Sequence, residues 1–417
     1  MRRLLLVVVA LAVFATPAQA ASRRVIHVDD DAPLGGNGSA RTPYANLTDA
    51  LADASAASSD VLILVEPGDY AVESPLVIDR SLEIRGSSVL IDDAEGLPTG
   101  QVLTGTETRI VGTAPLGTQP LISVGRPDAI VIDDVEIRGL ILEGTLGGIE
   151  MLVRRVQDYA IHDNVFRAPG FLGLQTIASS GRVAGNYFSG VDTGAILAGG
   201  YPASPSKVTF TGNRSVENNL GGLLLNGASI GIPELGDEPE ATVRGNDLSD
   251  NTLAPNAFGV RLFILRRDPG APGDSQSTGN VRALLQGNRI VGNRIGLTID
   301  AGFPYRRVGT TCDPRVFSGS IDLTLKDNML TGSLLTPALV TFTRVTAALS
   351  PGTLNLWQYL HDATIAVTDP DETLADAWID HPELDPFLGP CPGDAVNEPL
   401  GNVLRFNGVD LPNGRSF

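Results

Sequence analysis

Short runs of alternating apolar and polar residues recur along the chain, and many follow a turn that contains Gly-Asn or Asp-Asn. The stretch QGNRIVGNRIGLTID, residues 286–300, shows two Gly-Asn pairs five residues apart and then an alternating run. The runs are rich in β-branched residues and are bounded by Gly and Asn, which tolerate left-handed turns. The pattern predicts short β-strands joined by tight corners.

The asparagine of the turn recurs through most of the chain. The recurring residues are Asn164, Asn186, Asn213, Asn246, Asn288 and Asn328, spaced 22, 27, 33, 42 and 40 residues apart. Strands this short cannot bury a face alone, but stacked coils let each strand pair with its equivalent one coil away. The asparagines then form a ladder of side-chain hydrogen bonds. The predicted fold is all-β, a parallel β-helix.

The N-terminal segment carries a more specific pattern. An Asp-rich strand and a Gly-rich loop, VDDDAPLGGNGSARTPYANLTDALADA, precede DVLILVEPGDYAVESPLVIDRSLEIRGSS. Spacings of three and four predict one helix with a buried face of Leu47, Ala50, Leu51 and Ala54. With these features the sequence resembles the right-handed parallel β-helix family of secreted bacterial proteins, the pectin-lyase-like fold, over residues 25–344. The resemblance implies the fold but no single activity, because this fold hosts lyases, hydrolases, epimerases and adhesins.

The chain divides into four predicted segments. Residues 1–20 have the basic start, apolar run and Ala18-Gln19-Ala20 cleavage site of a secretory signal peptide. Residues 21–60 are expected to cap the first coil, and residues 61–345 are expected to form the coils. Residues 346–417 are expected to form an irregular tail that caps the last coil or runs back along its outside. No segment of the mature chain has the apolar length of a membrane span, so we expect a secreted protein, extracellular or periplasmic.

Charge and cysteine content limit the partners. The net charge of −18 argues against nucleic acid, which needs a basic footprint. It also opposes the approach of an acidic polysaccharide unless a local basic patch overrides the overall field. In an oxidising compartment Cys312 and Cys391 are predicted to form a disulfide, and the alternative is two buried thiols.

One row of strand positions predicted to face outward carries unexpected side chains. In register the row reads Gln175, Ile196, Leu224, Arg261 and Thr298, and two residues further on it reads Asn226, Phe263 and Asp300. Leu224 and Phe263 are large apolar side chains where solvent is expected, which indicates a covering partner. We expect the C-terminal tail, or the inserts at residues 229–241 and 266–279, to cover them.

Candidate chemistry is sparse. The Gly-His-Gly motif of polygalacturonase-like enzymes is absent from the sequence. A lyase or epimerase needs a base and a cation beside a uronate carboxylate, and the catalytic candidates are Arg261, Asp300, Tyr305 and Lys326. The alternative is that these residues form ordinary surface ion pairs. His162, in a turn, is expected to be structural.

The acidic triplet Asp29-Asp30-Asp31 is a candidate calcium site. Calcium needs oxygen ligands that converge, whereas consecutive strand residues point to opposite sides of a sheet. A solvated cap edge is therefore favoured over a calcium site, and no cofactor is predicted.

Two functions remain open. The sequence favours a secreted, non-catalytic protein that binds polysaccharide or cell-surface glycan, or that serves as a surface or matrix component. The alternative is a polysaccharide-active lyase or epimerase acting on a uronate-containing glycan. Convergence of Arg261, Asp300, Tyr305 and Lys326 in one groove would favour the enzyme.

Overall fold

The computed structural model describes most of the chain between residues 23 and 411. The described residues are 23–125, 131–167, 169–199, 206–227, 239–255, 257–264, 278–301, 317–341, 361–371, 378–380, 403–407 and 409–411. The predicted signal peptide, Tyr305, Cys312 and Cys391 lie outside them.

Within these residues, three parallel sheets each take one strand from successive coils. Sheet 1 contains Arg24–Val28, Val61–Val65, Leu82–Gly86, Val135–Arg138, Tyr159–His162, Gly181–Ala184, Ser206–Thr211, Pro239–Arg244, Thr278–Gln286, Phe317–Lys326, His361–Thr368 and Val403–Phe406, with Val409–Leu411 antiparallel at its end. Sheet 2 contains Gly68–Val72, Thr108–Gly112, Ile141–Glu143, Val165–Arg167, Tyr187–Ser189 and Arg214–Val216, and it continues through Asp247 to the pair Arg289–Val291 and Met329–Thr331. Sheet 3 contains Leu76–Ile78, Ile122–Val124, Ile149–Arg154, Leu172–Ile177, Thr193–Ala198, Gly221–Asn226, Phe258–Ile264, Ile295–Ala301, Thr336–Thr341 and Trp378–Asp380.

The chain visits the sheets in a fixed order. Gly181–Ala184 lies in sheet 1, Tyr187–Ser189 in sheet 2 and Thr193–Ala198 in sheet 3, after which the next coil begins at Ser206. The predicted right-handed parallel β-helix is confirmed. The remaining elements are an α-helix at Leu47–Ala56, a 3-10 helix at Ala114–Leu116, the paired strands Ile132–Asp133 and Val156–Gln157, and a hairpin of Leu90–Asp92 and Pro98–Val102.

Stacked apolar columns fill the interior. In sheet 1, Ile137, Ile161 and Val183 lie in register on successive strands, and all three are fully buried. The rings of Phe166 and Phe188, from sheet 2, stack with centroids 4.6 Å apart. Each such side chain contributes about 1.5–3 kcal/mol through removal of apolar surface from water. The alternation seen in the sequence therefore places one face of every strand in a continuous core.

The first corner, between sheets 1 and 2, is an asparagine ladder. Asn186 Oδ1 accepts the backbone N–H of Asn164 at 3.0 Å and its Nδ2 at 3.1 Å. The same contacts join Asn186 to Asn213 and continue through Asn246 and Asn288 to Asn328. The residue before each ladder asparagine has a positive φ, which explains the recurrent Gly or Asp at Asp163, Gly185, Gly212, Gly245, Gly287 and Asp327.

A second ladder, at the corner between sheets 2 and 3, was not singled out in the sequence. Asn251 Oδ1 accepts the backbone N–H of Asn218 at 3.0 Å, and Asn293 Oδ1 accepts that of Asn251 at 3.0 Å. The residue before each of these asparagines again has a positive φ, at Glu217, Asp250 and Gly292. The stretch of residues 286–300 therefore supplies one asparagine to each ladder.

The helix Leu47–Ala56 covers the first coils. Leu47, Ala50, Leu51 and Ala54 are its buried residues, as predicted. Asn46 caps its N-terminus by accepting the N–H of Asp49 at 2.9 Å. Arg80 donates to the carbonyls of Ala54 and Ser59, each at 2.8 Å, and so satisfies backbone groups at the other end.

The C-terminal segment differs from the expected irregular tail. His361–Thr368 pairs in parallel with Phe317–Lys326, and Trp378–Asp380 pairs with residues of Thr336–Thr341. The coils thus continue beyond residue 345, because the alternation in HDATIAVT supports another strand. Asn407 extends the first corner, where it accepts the N–H of Asp369 at 2.8 Å.

The hairpin Leu90–Asp92/Pro98–Val102 lies on the outside of sheet 2. Arg214 joins the two: its Nη2 lies 2.6 Å from Asp93 Oδ2, and its Nη1 donates to the Pro98 carbonyl at 3.3 Å. A Cβ on Gly100 would lie 2.4 Å from Tyr187 Cε1, so only glycine permits this close approach. Arg214 also binds Asp247 at 3.1 Å and is therefore held between a hairpin acid and a sheet acid.

We expect Arg214→Gln to loosen the hairpin without unfolding the coils. The substitution removes charge-assisted hydrogen bonds worth about 1.5–3 kcal/mol each at partly buried sites. Hydrogen exchange of residues 90–102 should rise by at least tenfold, whereas exchange in sheet 1 should stay the same. The control is Arg289→Gln, because Arg289 is half-exposed and lies 3.6 Å from Asp247. Equal exchange in the two variants would show that Arg214 does not hold the hairpin.

Candidate functional site

The outer row of sheet 3 has the predicted register. Gln175, Ile196, Leu224, Arg261 and Thr298 are consecutive cross-strand partners. Ile196 is 4% exposed and Gln175 and Thr298 are also buried, whereas Leu224 and Phe263, the two side chains expected to be covered, are partly buried. Ile196 belongs to a small apolar cluster with Leu172, Ile177, Ala178 and Ala198. Most of both inserts proposed to cover this face lies outside the described residues.

The four catalytic candidates are not brought together as a set. Arg261 lies in sheet 3, and its guanidinium carbon sits 4.2 Å from the centre of the Phe263 ring. Asp300 is on the next strand, opposite Phe263. Lys326 ends a strand of sheet 1, opposite Gln286. Tyr305 lies outside the described residues. Of the other three candidates, Lys326 is on a different sheet from Arg261 and Asp300.

The acidic triplet at the N-terminus corrects one argument from the sequence. Carboxylate oxygens of Asp29, Asp30 and Asp31 all lie within 4.8 Å of one another, because these residues form a turn after the strand rather than continuing it. Asp30 Oδ2 accepts the N–H of Asp69 at 2.9 Å, and Asp29 Oδ1 accepts that of Asp31 at 3.1 Å. These contacts tie the turn to the first strand of sheet 2.

His162 is partnered by two acids. Its Nδ1 lies 2.7 Å from Asp163 Oδ2, and its Nε2 lies 3.1 Å from Glu136 Oε1. The hydrogen bond to Asp163 raises the pKa of His162 and outweighs the effect of partial burial, and Glu136 raises it further. These contacts match the structural role expected for His162.

A second group of polar residues lies where sheet 2 turns into sheet 3. We call it the corner site, formed by Asp69, Arg109, Glu143, Glu150, Arg167 and Phe171. Asp69 and Arg109 are partners on adjacent strands of sheet 2, as are Glu143 and Arg167. Phe171 lies in the next coil, at the end of the turn equivalent to the one that precedes Glu150. Its N–H donates to the Gly148 carbonyl at 2.7 Å. Four successive coils therefore contribute to one surface.

Acids on both sides hold Arg109 in place. Its Nη1 lies 3.0 Å from Asp69 Oδ1, and its Nη2 lies 2.9 Å from Glu143 Oε2. The hydrogen bond to Glu143 is the main cause that raises the pKa of Arg109, so the guanidinium is charged at any physiological pH. Arg167 lies 3.9 Å from the other oxygen of Glu143 and donates to the Gly100 carbonyl of the hairpin at 3.4 Å. The row therefore alternates in charge and is close to neutral.

Glu150 lies beneath this row and is fully buried. Among the described residues, neither carboxyl oxygen has a hydrogen bond of good geometry, although the Gly144 backbone approaches closely enough to favour the ionised form. Burial raises the pKa of Glu150 well above its usual value, against the lowering effect of the nearby Gly144 backbone. A Cβ on Gly170 would lie 2.9 Å from Glu150 Oε1, and one on Gly144 would lie 3.0 Å from its Cγ. The two glycines thus leave the space that this carboxyl occupies.

Exposed apolar side chains lie in the turns that follow the strands of the polar row. Leu146, in the turn between the two sheets, is 84% exposed, and Phe171 is 43% exposed. Guanidinium and carboxylate groups can hydrogen-bond hydroxyls, while an exposed ring offers an apolar platform. The corner site can therefore hold a polyhydroxylated ligand with apolar C–H faces.

The sequence did not identify the corner site, although it contains one signal for it. On sheet 3, Glu150 occupies the position that Gly173, Gly194, Gly222, Gly259 and Gly296 occupy in later coils, as the flanking pairs show. A charged residue in a glycine column marks an exception once the coils are set in register. Arg109 carried no comparable signal, because its coil contains the hairpin insertion that disturbs the repeat.

Comparison with known proteins identifies a family. Residues 33–289 match the family described as "Protein of unknown function (DUF1565)". No curated protein matches the chain. Among the described residues, no helix combines the length and apolar character that a membrane span requires.

Solved structures with similar folds include three from different sources. ORF18 of Geobacillus virus E2 is 14% identical, with a TM-score of 0.42. The match covers 84% of this chain and 62% of the viral protein, so this chain spans less than two thirds of the length of that protein. XylC in complex with xylose is 8% identical, with a TM-score of 0.45 over 83% of this chain and 69% of its own. The A-module of the Azotobacter vinelandii mannuronan C-5 epimerase AlgE6 is 13% identical, with a TM-score of 0.38 over 78% of this chain and 84% of its own. The family match covers more than half of the residues, and the chain therefore belongs to the DUF1565 family, with the right-handed parallel β-helix as its fold.

Proposed function

We propose that this protein is an exported, non-catalytic β-helix that binds a neutral glycan at the corner site. The observation that carries the proposal is the preorganised row of Asp69, Arg109, Glu143 and Arg167 beside the exposed ring of Phe171. Because ion pairs fix the guanidiniums before a ligand arrives, little side-chain entropy is lost on binding. The signal-peptide pattern of residues 1–20 supports export to the periplasm or the cell exterior.

Charge balance favours a neutral ligand at this site. Two guanidiniums and two ionised carboxylates compensate each other, so an anionic sugar gains no net attraction. Each hydroxyl can still donate to a carboxylate or accept from a guanidinium, and hydrogen bonds to charged groups contribute about 1.5–3 kcal/mol.

Arg109→Gln tests the proposal directly. An array of neutral and acidic polysaccharides should first identify a neutral glycan, and calorimetry should then give its affinity. We expect the substitution to weaken binding about tenfold or more, since it removes a charged donor and frees Glu143 to move. Arg289→Gln, on the same outer row of sheet 2 but several coils away, should bind as the wild type does. Equal affinities in all three proteins would contradict the proposal.

One observation favours a second function, a polysaccharide-active enzyme. Glu150 has a raised pKa and lies close enough to the ionised Glu143 for that charge to contribute to the shift. A carboxyl whose environment raises its pKa can keep its proton at neutral pH, as a general acid must. If the protein is an enzyme, the bound glycan should yield new reducing ends or unsaturated products. Glu150→Gln should then abolish the release of these products. Intact glycan after prolonged incubation with the wild type would support the non-catalytic function.

A further inference from the structure

We propose that the hairpin of residues 90–102 is a hinged strap, and that its release uncovers an apolar surface on sheet 2 that is continuous with the corner site. We call this surface the covered row, formed by Ile141, Val165 and Tyr187. Release of the strap also strengthens ligand binding at the corner site, and this second step rests on the function proposed for that site.

The register of sheet 2 defines the covered row. On successive strands the row reads Arg109, Ile141, Val165, Tyr187 and Arg214. Four strand spacings, about 19 Å, separate the two arginines. Arg109 belongs to the corner site and Arg214 contacts the tip of the hairpin. A ligand held at Arg109 therefore has the covered row as its next surface along the coil axis.

Burial indicates that the strap covers this row. Ile141 is 2% exposed and Val165 is fully buried, yet neither belongs to the interior core, whereas the residue after each of them does. Successive strand residues face opposite sides of a sheet, so Ile141 and Val165 face outward. In the described part of the chain the strand Pro98–Val102 packs on this face beside Tyr187. The hairpin thus shields an apolar outer row from water.

Polar contacts fasten the strap in its closed position. At the tip, Arg214 Nη2 lies 2.6 Å from Asp93 Oδ2, and its Nη1 donates to the Pro98 carbonyl at 3.3 Å. Nearer the corner site, Arg167 Nη2 donates to the Gly100 carbonyl at 3.4 Å. Arg167 is itself part of the corner site, so the closed strap occupies a donor that a ligand there would use.

The base of the strap has the features of a hinge. Thr108 fastens it, since its Oγ1 accepts the N–H of Ser87 at 2.9 Å and its N–H donates to Ser88 Oγ at 2.8 Å. Gly105, beside this point, has a φ of +84° and open space around it. The hairpin forms a separate two-stranded sheet. Such a hairpin is marginally stable alone, so its position depends on the contacts at its tip and underside.

Release of the strap changes the corner site in two ways. It frees Arg167 from the Gly100 carbonyl, and it bares the ring of Tyr187 and two aliphatic side chains along the row that starts at Arg109. A ligand that extends along this row then gains apolar contact. Because the closed strap excludes that contact, the measured affinity is lowered by the fraction of molecules that are closed, and a change that opens the strap strengthens binding.

Gly100→Ala tests the strap without changing a side chain of the corner site. A Cβ at this position would collide with the Tyr187 ring, which pushes the strap away from the sheet. Gly96→Ala is the matched control, because Gly96 has a φ of +76° against +77° at Gly100 but open space around it. Nile red, a neutral dye that fluoresces in apolar surroundings, should bind Gly100→Ala at least tenfold more tightly than the wild type or the control. Arg214→Gln, which releases the tip, should give the same result.

A second measurement is the affinity of each full-length variant for the neutral polysaccharide selected on the array. Gly100→Ala and Arg214→Gln should bind it about threefold more tightly than the wild type, because more molecules are open. Gly96→Ala should bind as the wild type does. Arg109→Gln should show the opposite pattern, with weaker polysaccharide binding and unchanged dye binding.

Two results would overturn the proposal. Equal dye binding by Gly100→Ala and Gly96→Ala would show that the strap covers no apolar surface, and dye binding without tighter polysaccharide binding would show that the strap does not regulate the corner site. A melting curve for each variant excludes unfolding of the coils, and Arg214→Gln serves if Gly100→Ala does not fold. Failure of the proposed function is distinguishable, because the dye reports release of the strap without any polysaccharide.

Discussion

Replacement of Glu150 by methionine is expected to stabilise the protein by about 1–3 kcal/mol at pH 4, and by more at pH 7. Methionine is close to glutamate in volume and has no polar group that needs a partner, so it fits the space beside Gly144 and Gly170. The wild-type carboxyl is fully buried without a hydrogen bond of good geometry, and a poorly satisfied buried polar group costs about 1–3 kcal/mol.

The benefit of Glu150→Met should grow with pH. Below the unfolded-state pKa of about 4.3, both states carry the proton and pH has no effect through this group. Above it, the unfolded chain releases the proton while the folded protein retains it, because burial raises the folded-state pKa. Wild-type stability therefore falls by about 1.4 kcal/mol per pH unit until the folded-state pKa is reached, and the variant lacks this component.

Denaturant unfolding between pH 4 and pH 9 measures both effects. Glu240→Met is the control, because Glu240 is half-exposed and its ion pair with Lys207 is a surface contact. Surface changes of this kind usually stay within about 0.5 kcal/mol. A Glu150→Met variant that is less stable than the wild type at every pH would show that the carboxyl has a partner in solution.

Asn213→Ala should destabilise the protein by about 3–5 kcal/mol. Asn213 is fully buried, donates to the Val183 carbonyl at 3.0 Å and accepts both the N–H and the Nδ2 of Asn186 at 3.0 Å. The substitution leaves these buried groups without partners, and each such group costs about 1–3 kcal/mol. Since each coil is supported by its neighbours, the damage spreads along the stack.

The neighbouring Asn219→Ala serves as the control for the ladder. Asn219 is half-buried outside both ladders and makes a side-chain hydrogen bond to Asp192 at 2.8 Å. We expect a loss of about 1 kcal/mol, measured by the same chemical denaturation. Similar losses in Asn213→Ala and Asn219→Ala would mean that the ladder adds nothing beyond an ordinary polar contact.

The fold was predictable because its signals are local. Gly or Asp before each ladder asparagine marks a residue with positive φ, and the alternation after the turn marks a strand. Those two features suffice to set the coils in register, and the outer row from Gln175 to Thr298 was located correctly in this way. The apolar side chains of that row indicated a cover, but the covering segment could not be read from local pattern because it depends on what packs over the sheet.

The corner site was not predictable because its residues meet through stacking across coils. Arg109 is 34 residues from Glu143 and 40 residues from Asp69. Insertions between coils vary in length, so equal spacing cannot locate such partners. The extra strands after residue 345 were missed for a related reason: His361–Thr368 is followed by Asp369-Pro370-Asp371 rather than by a Gly-Asn or Asp-Asn pair, so the motif no longer signals the corner.

Hydrogen exchange with bound ligand tests the proposed function most directly. The full-length protein should be compared with and without the neutral polysaccharide that binds best on the array. We predict slower exchange at residues 107–111, 141–148 and 165–167, which surround Arg109, Glu143 and Arg167, and no change around Arg261. Protection confined to the outer face of sheet 3, or no protection anywhere, would contradict glycan binding at the corner site.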